Sequence, residues 1–194
     1  GAFSSVVGDG GVTIAQRSKI AITTGNSYTV ATAIEAALKA AEQVGIETAR
    51  ATLAVVGGTG SIGKTCAVSL APFFSRTLIL GRDLAKAQAL ADELPRGEAV
   101  STPEHLRQAD VMITVSSAAK EIVFPEHLKR GAVIVDVARP RDVSVRVAQE
   151  RPDVLVIELV ELFRRLGLIA HVRGFRSAEL ETGGEFIRGN AGLQ

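Results

Sequence analysis

One cysteine, one tyrosine, three histidines and no tryptophan are what 194 residues hold of several side chains that often carry metal, redox or aromatic-platform chemistry. A single cysteine, Cys66, excludes an internal disulfide and a cysteine-rich metal site, and fits a reducing, cytoplasmic setting. His105, His127 and His171 are too scattered for the short spacings of helical metal pairs, so no metal centre is expected. No apolar run approaches the ~18 residues of a membrane span. The opening Gly1-Ala2-Phe3-Ser4 lacks the basic stretch of a signal peptide, and a start without Met is what a processed or excised piece would have. Neither sign of charge dominates: a formal net charge of +1, with bases and acids interspersed, gives no reason to expect nucleic acid as a partner.

What remains is aliphatic. Apolar residues make up 46% of the chain and aromatics only 4%, so the core must be built from Val, Ile, Leu and Ala, which favours a parallel sheet covered on both faces. Short β-branched runs at 52–56, 77–80, 98–100, 111–115, 132–137 and 154–157 alternate with helical stretches at 61–71, 84–94, 103–108, 125–129 and 143–150. Such alternation indicates βαβ units with right-handed crossovers, and six strands complete a doubly wound α/β fold with its ligand at the switch point of the sheet. Before it lie a glycine-rich stretch over 1–21, expected as loop plus a strand, and an Ala-rich helix over 29–44 closed by Gly45 as its C′ glycine. Asn26 and Ser27 are good N-caps for that helix. After it, Leu159, Leu162, Phe163 and Leu166 suit a helix stopped by Gly167, and the tail has little periodicity. The division expected is an N-terminal segment 1–48, a dinucleotide-binding domain 49–173 and a tail 174–194.

The run Gly57-Gly58-Thr59-Gly60-Ser61-Ile62-Gly63-Lys64-Thr65 follows the first strand and fits two phosphate-binding patterns at once. Gly58, Gly60 and Gly63 make the dinucleotide fingerprint; Gly58, Gly63, Lys64 and Thr65 equally make a P-loop. Both rest on the same physics, a glycine turn that lets backbone approach a phosphate and a helix that aims unpaired N–H groups at it. A dinucleotide site next needs a ribose-binding residue at the end of the second strand, where Arg82-Asp83 stands. The planar guanidinium of Arg82 suits a ribose 2′-phosphate, so the cofactor reads as NADP(H) over NAD(H). Asp83 is accounted for as the N-cap of the next helix. A P-loop instead needs an acid after an apolar strand to organise Mg²⁺, and Asp136 is available.

Three stretches together, Phe3-Ser4-Ser5, Thr23-Thr24-Gly25-Asn26-Ser27, and 51–63, resemble the long-chain acyl-[acyl-carrier-protein] reductases of cyanobacteria and related predicted bacterial dehydrogenases. Gln108-Ala109-Asp110-Val111 and the stretch 135–142 are similar to the same group and to the NADP domains of glutamyl-tRNA reductase and shikimate dehydrogenase. The resemblance covers most of residues 1 to about 160, and it implies a Rossmann NAD(P)-binding domain with a short substrate-side segment before it. It places Gly58, Thr59, Gly60, Ser61, Ile62 and Gly63 on the pyrophosphate and Arg82 on the 2′-phosphate. Ser116 and Ser117 would flank the nicotinamide side, and Thr24, Gly25 and Asn26 the substrate cleft. The implied substrate is a small molecule or a carrier-bound acyl group, and a homo-oligomer is compatible with the chain.

The acyl reductases use a cysteine thiolate C-terminal to the dinucleotide domain, and no cysteine stands there in this sequence. Cys66, in the helix after the glycine loop, reads as a small buried residue. No catalytic residue is assigned, and Lys120 and Asp136 are the remaining polar candidates near strand ends. Three functions stay open: an NADP(H)-dependent oxidoreductase of an acyl or carbonyl substrate, a non-catalytic dinucleotide-binding module or fragment, and a P-loop nucleoside triphosphatase.

Overall fold

The computed structural model describes residues 12–20 and 25–159. Among them β1 (Thr52–Val56), β2 (Arg76–Leu80), β3 (Gly97–Val100), β4 (Val111–Thr114), β5 (Val133–Asp136) and β6 (Leu155–Glu158) form one sheet in the order β3-β2-β1-β4-β5-β6. Every neighbouring pair is parallel. This is the doubly wound order expected from the sequence, with the switch point between β1 and β4. Val56 is in register with Leu80 on one side and Thr114 on the other. The carboxyl ends of β1, β2 and β4 are therefore level, and the loops that follow them emerge side by side.

The four inner strands, β2, β1, β4 and β5, read as nearly continuous apolar runs because both faces are buried, whereas the edge strands β3 and β6 are mostly half-buried. Leu53 and Val55 point into a core shared with Cys66, Leu70, Phe74 and Ile79, whereas Ala54 and Val56 point into a second core with Leu78, Met112 and Ile134. Successive side chains on a strand alternate faces, which sorts each strand between the two cores. Fully burying a leucine or isoleucine contributes ~1.5–3 kcal/mol. The first core lies under α2 (Asn26–Gln43), α3 (Ser61–Leu70) and α4 (Leu84–Asp92), the longest helices among the described residues; α1 (Val12–Arg17) has no buried residue. Steps from β1 to β2 to β3 run one way across the sheet, so their right-handed crossovers share a face. The chain then returns past β1 to β4, and later crossovers fall on the opposite face. There the connections are short: 3-10 turns at Pro103–Gln108 and Pro125–His127, and α5 (Arg146–Glu150).

Several boundaries differ from expectation for identifiable reasons. Helix α2 begins at Asn26 because Gly25, in the left-handed region at φ 80°, takes the cap position and its carbonyl accepts from Thr29 N–H at 3.0 Å. Asn26 and Ser27 are thus first-turn residues and not caps. At its other end Gly45 is the C′ glycine anticipated: Gly45 N–H donates to Glu42 O and Ile46 N–H to Ala41 O. Residues 103–108 form a 3-10 helix, opened by a proline and too short to repay α-helix nucleation. Helix α5 starts three residues later than expected because Val143 N–H and Ser144 N–H are held by Asp136 and by Val123 O. Of the stretch 1–21, expected as loop plus a strand, the described part forms the helix α1 over Val12–Arg17; the rest of it, apart from 18–20, lies outside the described residues, as do the expected helix beyond Leu159 and the whole tail.

Candidate nucleotide-binding site

The chain leaves β1 through a turn that only glycine permits. Gly57 adopts φ 80°, and a Cβ there would meet the Ser116 backbone at 2.8 Å. Gly57 N–H and Gly58 N–H both donate to Leu80 O, at 2.8 and 3.3 Å, and Gly60 N–H returns to Gly57 O at 3.0 Å. Gly58 is buried, where a Cβ would lie 2.8 Å from Ile79 Cγ2; at Gly63 it would press on the Gly57 carbonyl and lie 2.8 Å from Gly58 Cα. Those two glycines let α3 pack onto the turn. Gly60 differs: a Cβ would meet nothing nearer than Gly57 O at 3.4 Å, an ordinary contact. The missing side chain at 60 leaves open space outside the protein's own packing, as a phosphate cradle requires.

Helix α3 begins at that space with no side chain capping it, so the N–H groups of Ser61, Ile62 and Gly63 have no intrahelical acceptor. By contrast α4 is capped by Asp83, whose carboxylate accepts from Lys86 N–H at 3.1 Å. This bond, foremost, holds the Asp83 carboxyl below its usual value.

A cavity of about 450 Å³ lies over the level strand ends. Thr59 and Gly60 form its β1 side, Arg82 and Ser101 its β2–β3 side, and Ser116, Ser117 and Ala118 its β4 side; Val56, Leu80 and Ile122 supply apolar wall. Arg82 makes no ion pair or hydrogen bond with a described residue, whereas nearby Lys86 pairs with Asp83 and Arg76 with Glu98. Of the residues expected at a cofactor, Thr59, Gly60, Arg82, Ser116 and Ser117 line this cavity. Gly58 and Gly63 sit beneath it in packing roles, Ser61 opens α3, and Ile62 packs against the first core. Gly25 and Asn26, half-buried at the start of α2, are not among its lining residues, and Thr24 lies outside the described residues.

Lys64 points away from the turn to Glu93 on the following segment, at 3.0 Å, and the Thr65 hydroxyl donates to Ser61 O within its own helix at 3.0 Å. Asp136, two strands from β1 in the sheet order, is fully buried. It accepts from the Thr114 hydroxyl at 2.9 Å, from Ala138 N–H at 3.0 Å and from Val143 N–H at 3.3 Å. Burial raises its carboxyl to about 6 despite those bonds, with the neighbouring Asp142 adding to the rise. Asp142 is also buried and raised, again mainly by desolvation; its carboxylate accepts Ser116 N–H at 2.8 Å and the Ser116 hydroxyl. Cys66 is fully buried on α3, which pushes its thiol up to about 11. Lys120 is exposed, on a more open depression beside Phe124 and Arg141.

Residues 38–163 match the shikimate / quinate 5-dehydrogenase family. The chain belongs to that family. The shikimate / quinate 5-dehydrogenase match covers the whole described sheet, and NADP(H) is the cofactor that goes with it. The chain is thus a dinucleotide-binding domain of oxidoreductase type. It is 30% identical over 81% of its length to the aminotransferase PigE of Serratia sp. and 31% identical over 66% to the long-chain acyl-[acyl-carrier-protein] reductase of Synechococcus elongatus. It spans only 19% and 38% of those two proteins. Among solved structures, glutamyl-tRNA reductase from Methanopyrus kandleri superposes with a TM-score of 0.58 at 28% identity, over 70% of this chain and 39% of that one. The transhydrogenase from Sinorhizobium meliloti gives 0.56 at 18% identity, over 69% and 47%, a likeness of fold alone. No helix among the described residues is long and apolar enough to cross a membrane.

Sequence reasoning about this family member missed Gly57, the one glycine of the loop with positive φ and the one pressed against Ser116. It also missed Asp142, which lies within the 135–142 stretch that carried the resemblance. A carboxylate closing an Arg-Pro-Arg run was the available signal, but nothing local tells that it folds inward.

Proposed function

We propose that this chain is the cofactor-binding core of an NADP(H)-dependent oxidoreductase that acts on an acyl or carbonyl carbon. The observation that carries this reading is the convergence on one cavity of an uncapped helix start, a side-chain-free position at Gly60 and a guanidinium at Arg82 that has no partner among the described residues. In that reading the N–H groups of Ser61, Ile62 and Gly63 take the pyrophosphate, and Arg82 takes the 2′-phosphate. Gly58 and Gly63 hold the turn closed beneath them. Ser116 and Ser117 line the nicotinamide side, and Val56, Leu80 and Ile122 exclude water from the wall. When bound, the nicotinamide supplies or accepts the hydride. Thr24, Gly25 and Asn26 are assigned to the substrate side, as the segment feeding α2.

An acyl substrate is favoured by the likeness to the acyl-carrier-protein reductase. Cys66 is no candidate for a thioester intermediate, since a buried thiol near pKa 11 is neither accessible nor ionised. The chemistry assigned to this chain is therefore orientation of the cofactor for hydride transfer. The pairing of Lys64 with Glu93 and of Thr65 with its own helix favours this reading over a P-loop, in which the lysine would reach the phosphates and the threonine hydroxyl their Mg²⁺.

Calorimetric titration with NADPH, NADH and Mg-ATP tests it. NADPH should bind in preference to NADH. Arg82→Ala should remove one or two charge-assisted hydrogen bonds, ~1.5–3 kcal/mol or roughly 10- to 150-fold in NADPH affinity, and leave NADH nearly unchanged. Lys64→Ala should leave NADPH binding intact. Binding of Mg-ATP alone, lost in Lys64→Ala, would overturn the proposal.

A further inference from the structure

The loop between β4 and the 3-10 turn at Pro125–His127 contributes Ser116, Ser117, Ala118 and Ile122 to the cavity. Little apolar packing holds its start: Ser116 and Ala118 are half-buried, and Ser117 is exposed. Both of its ends are fastened by one residue. The Asp142 carboxylate accepts Ser116 N–H at 2.8 Å and the Ser116 hydroxyl, and Ser116 Oγ in turn accepts from Ala118 N–H at 3.1 Å. The Asp142 backbone carbonyl accepts Ile122 N–H at 2.8 Å and Val123 N–H at 2.9 Å. Asp142 is itself anchored to the sheet. The next residue, Val143, donates to Asp136, which holds Thr114 at the end of β4.

From this we infer that Asp142 is a positioning residue, which sets the nicotinamide-side wall of the cavity by clamping residues 116–123 against the glycine turn. The inference rests on the NADP(H) reading above. The clamp explains the close approach of Ser116 to Gly57, where a Cβ would lie 2.8 Å from the Ser116 backbone. A carboxylate suits the task because its two oxygens accept both Ser116 donors at once. An amide would turn its NH₂ toward one of them. The adenosine side of the cavity, with Arg82 and Ser101, shares none of these bonds.

The test compares two ligands, NADPH and adenosine 2′,5′-bisphosphate, which carries the adenosine and 2′-phosphate but no nicotinamide. In Asp142→Asn, NADPH affinity should fall at least tenfold while affinity for the bisphosphate stays within twofold. Ser116→Ala, which removes the hydroxyl arm and the acceptor of Ala118 N–H but keeps the backbone arm, should give the same split at smaller amplitude, and it keeps the test available should Asp142→Asn fail to fold. Melting temperatures of the free proteins report any general loss of stability, which would weaken both ligands together. Equal losses for both, or no loss for either, would overturn the clamp. If the unmutated protein binds the bisphosphate but not NADPH, the nicotinamide-side assignment is wrong. If it binds neither, the NADP(H) reading itself fails, and the positioning role falls with it.

Discussion

Between about pH 4 and pH 6 this protein should lose stability as the pH rises, in proportion to the ionisation of Asp136. The carboxyl moves from an ordinary 3.8 in the unfolded chain to about 6 in the folded one, chiefly because burial disfavours its charge. In that window the folded state keeps a proton that the unfolded state has released, so the stabilisation is complete below 3.8 and gone above about 6. The full amplitude is ~3 kcal/mol, of which ~2 kcal/mol falls between roughly pH 4.5 and 7.5. Asp142, also raised, acts with the same sign. Asp153, whose carboxyl is held low mainly by its hydrogen bond from Arg151, acts oppositely, but its contribution is lost only on acidification below 3.8. The exposed, lowered carboxyls of Glu35 and Glu150 likewise act below their ordinary 4.5. Urea unfolding of the unmutated protein and of Asp136→Asn, at fixed ionic strength across this range, isolates the effect. The amide would face one backbone donor with its NH₂, at a pH-independent cost of ~1–3 kcal/mol, so the informative quantity is the change with pH of the difference between the two proteins. That difference should shrink, in the unmutated protein's disfavour, by ~2 kcal/mol from the acid to the neutral end. Parallel curves would refute the reasoning.

Three further outcomes separate fold from site. Native protein should resist thiol labelling by iodoacetamide at neutral pH and react once urea exposes Cys66, since the thiol is buried and its pKa is about 11; rapid labelling of the folded state would contradict that. Gly63→Ala should lower stability by about 1–3 kcal/mol, because its Cβ meets the backbone of Gly57 and Gly58, with melting temperature as the readout. Gly60→Ala should leave melting nearly unchanged and weaken NADPH, since its Cβ enters open space; a large loss of stability there would mean that the cradle is packing and not a ligand site.

The inner sheet was legible in the chain because parallel strands buried on both faces read as apolar runs, the half-buried edge strands were marked by shorter runs, and each of the six became a strand within a residue or two at either end. That Arg82 would stand at the strand ends was legible because its position is counted along the chain from the glycine turn, and it lines the cavity. What was not legible is long-range. Whether Asp142 turns inward depends on Ser116, 26 residues earlier, and whether Gly57 matters depends on how closely β4 brings that same serine. The start of α2 was displaced for a local reason instead: glycine reaches a left-handed conformation at little cost, so Gly25 took the cap that Asn26 and Ser27 were suited to.

The buried face of α2 is almost entirely alanine: Ala33, Ala37, Ala40 and Ala41, with Val30 toward its start. Side chains that small let α2 lie close to α3 and to the sheet and leave no rotamers to adjust, so the gap between α2 and α3 has little play. Helix α3 starts at the phosphate cradle, and α2 starts at Gly25 and Asn26. The alanine seam therefore acts as a ruler, holding those two starting points at a set separation. A single leucine in the seam would move one helix start relative to the other while leaving every residue of both intact.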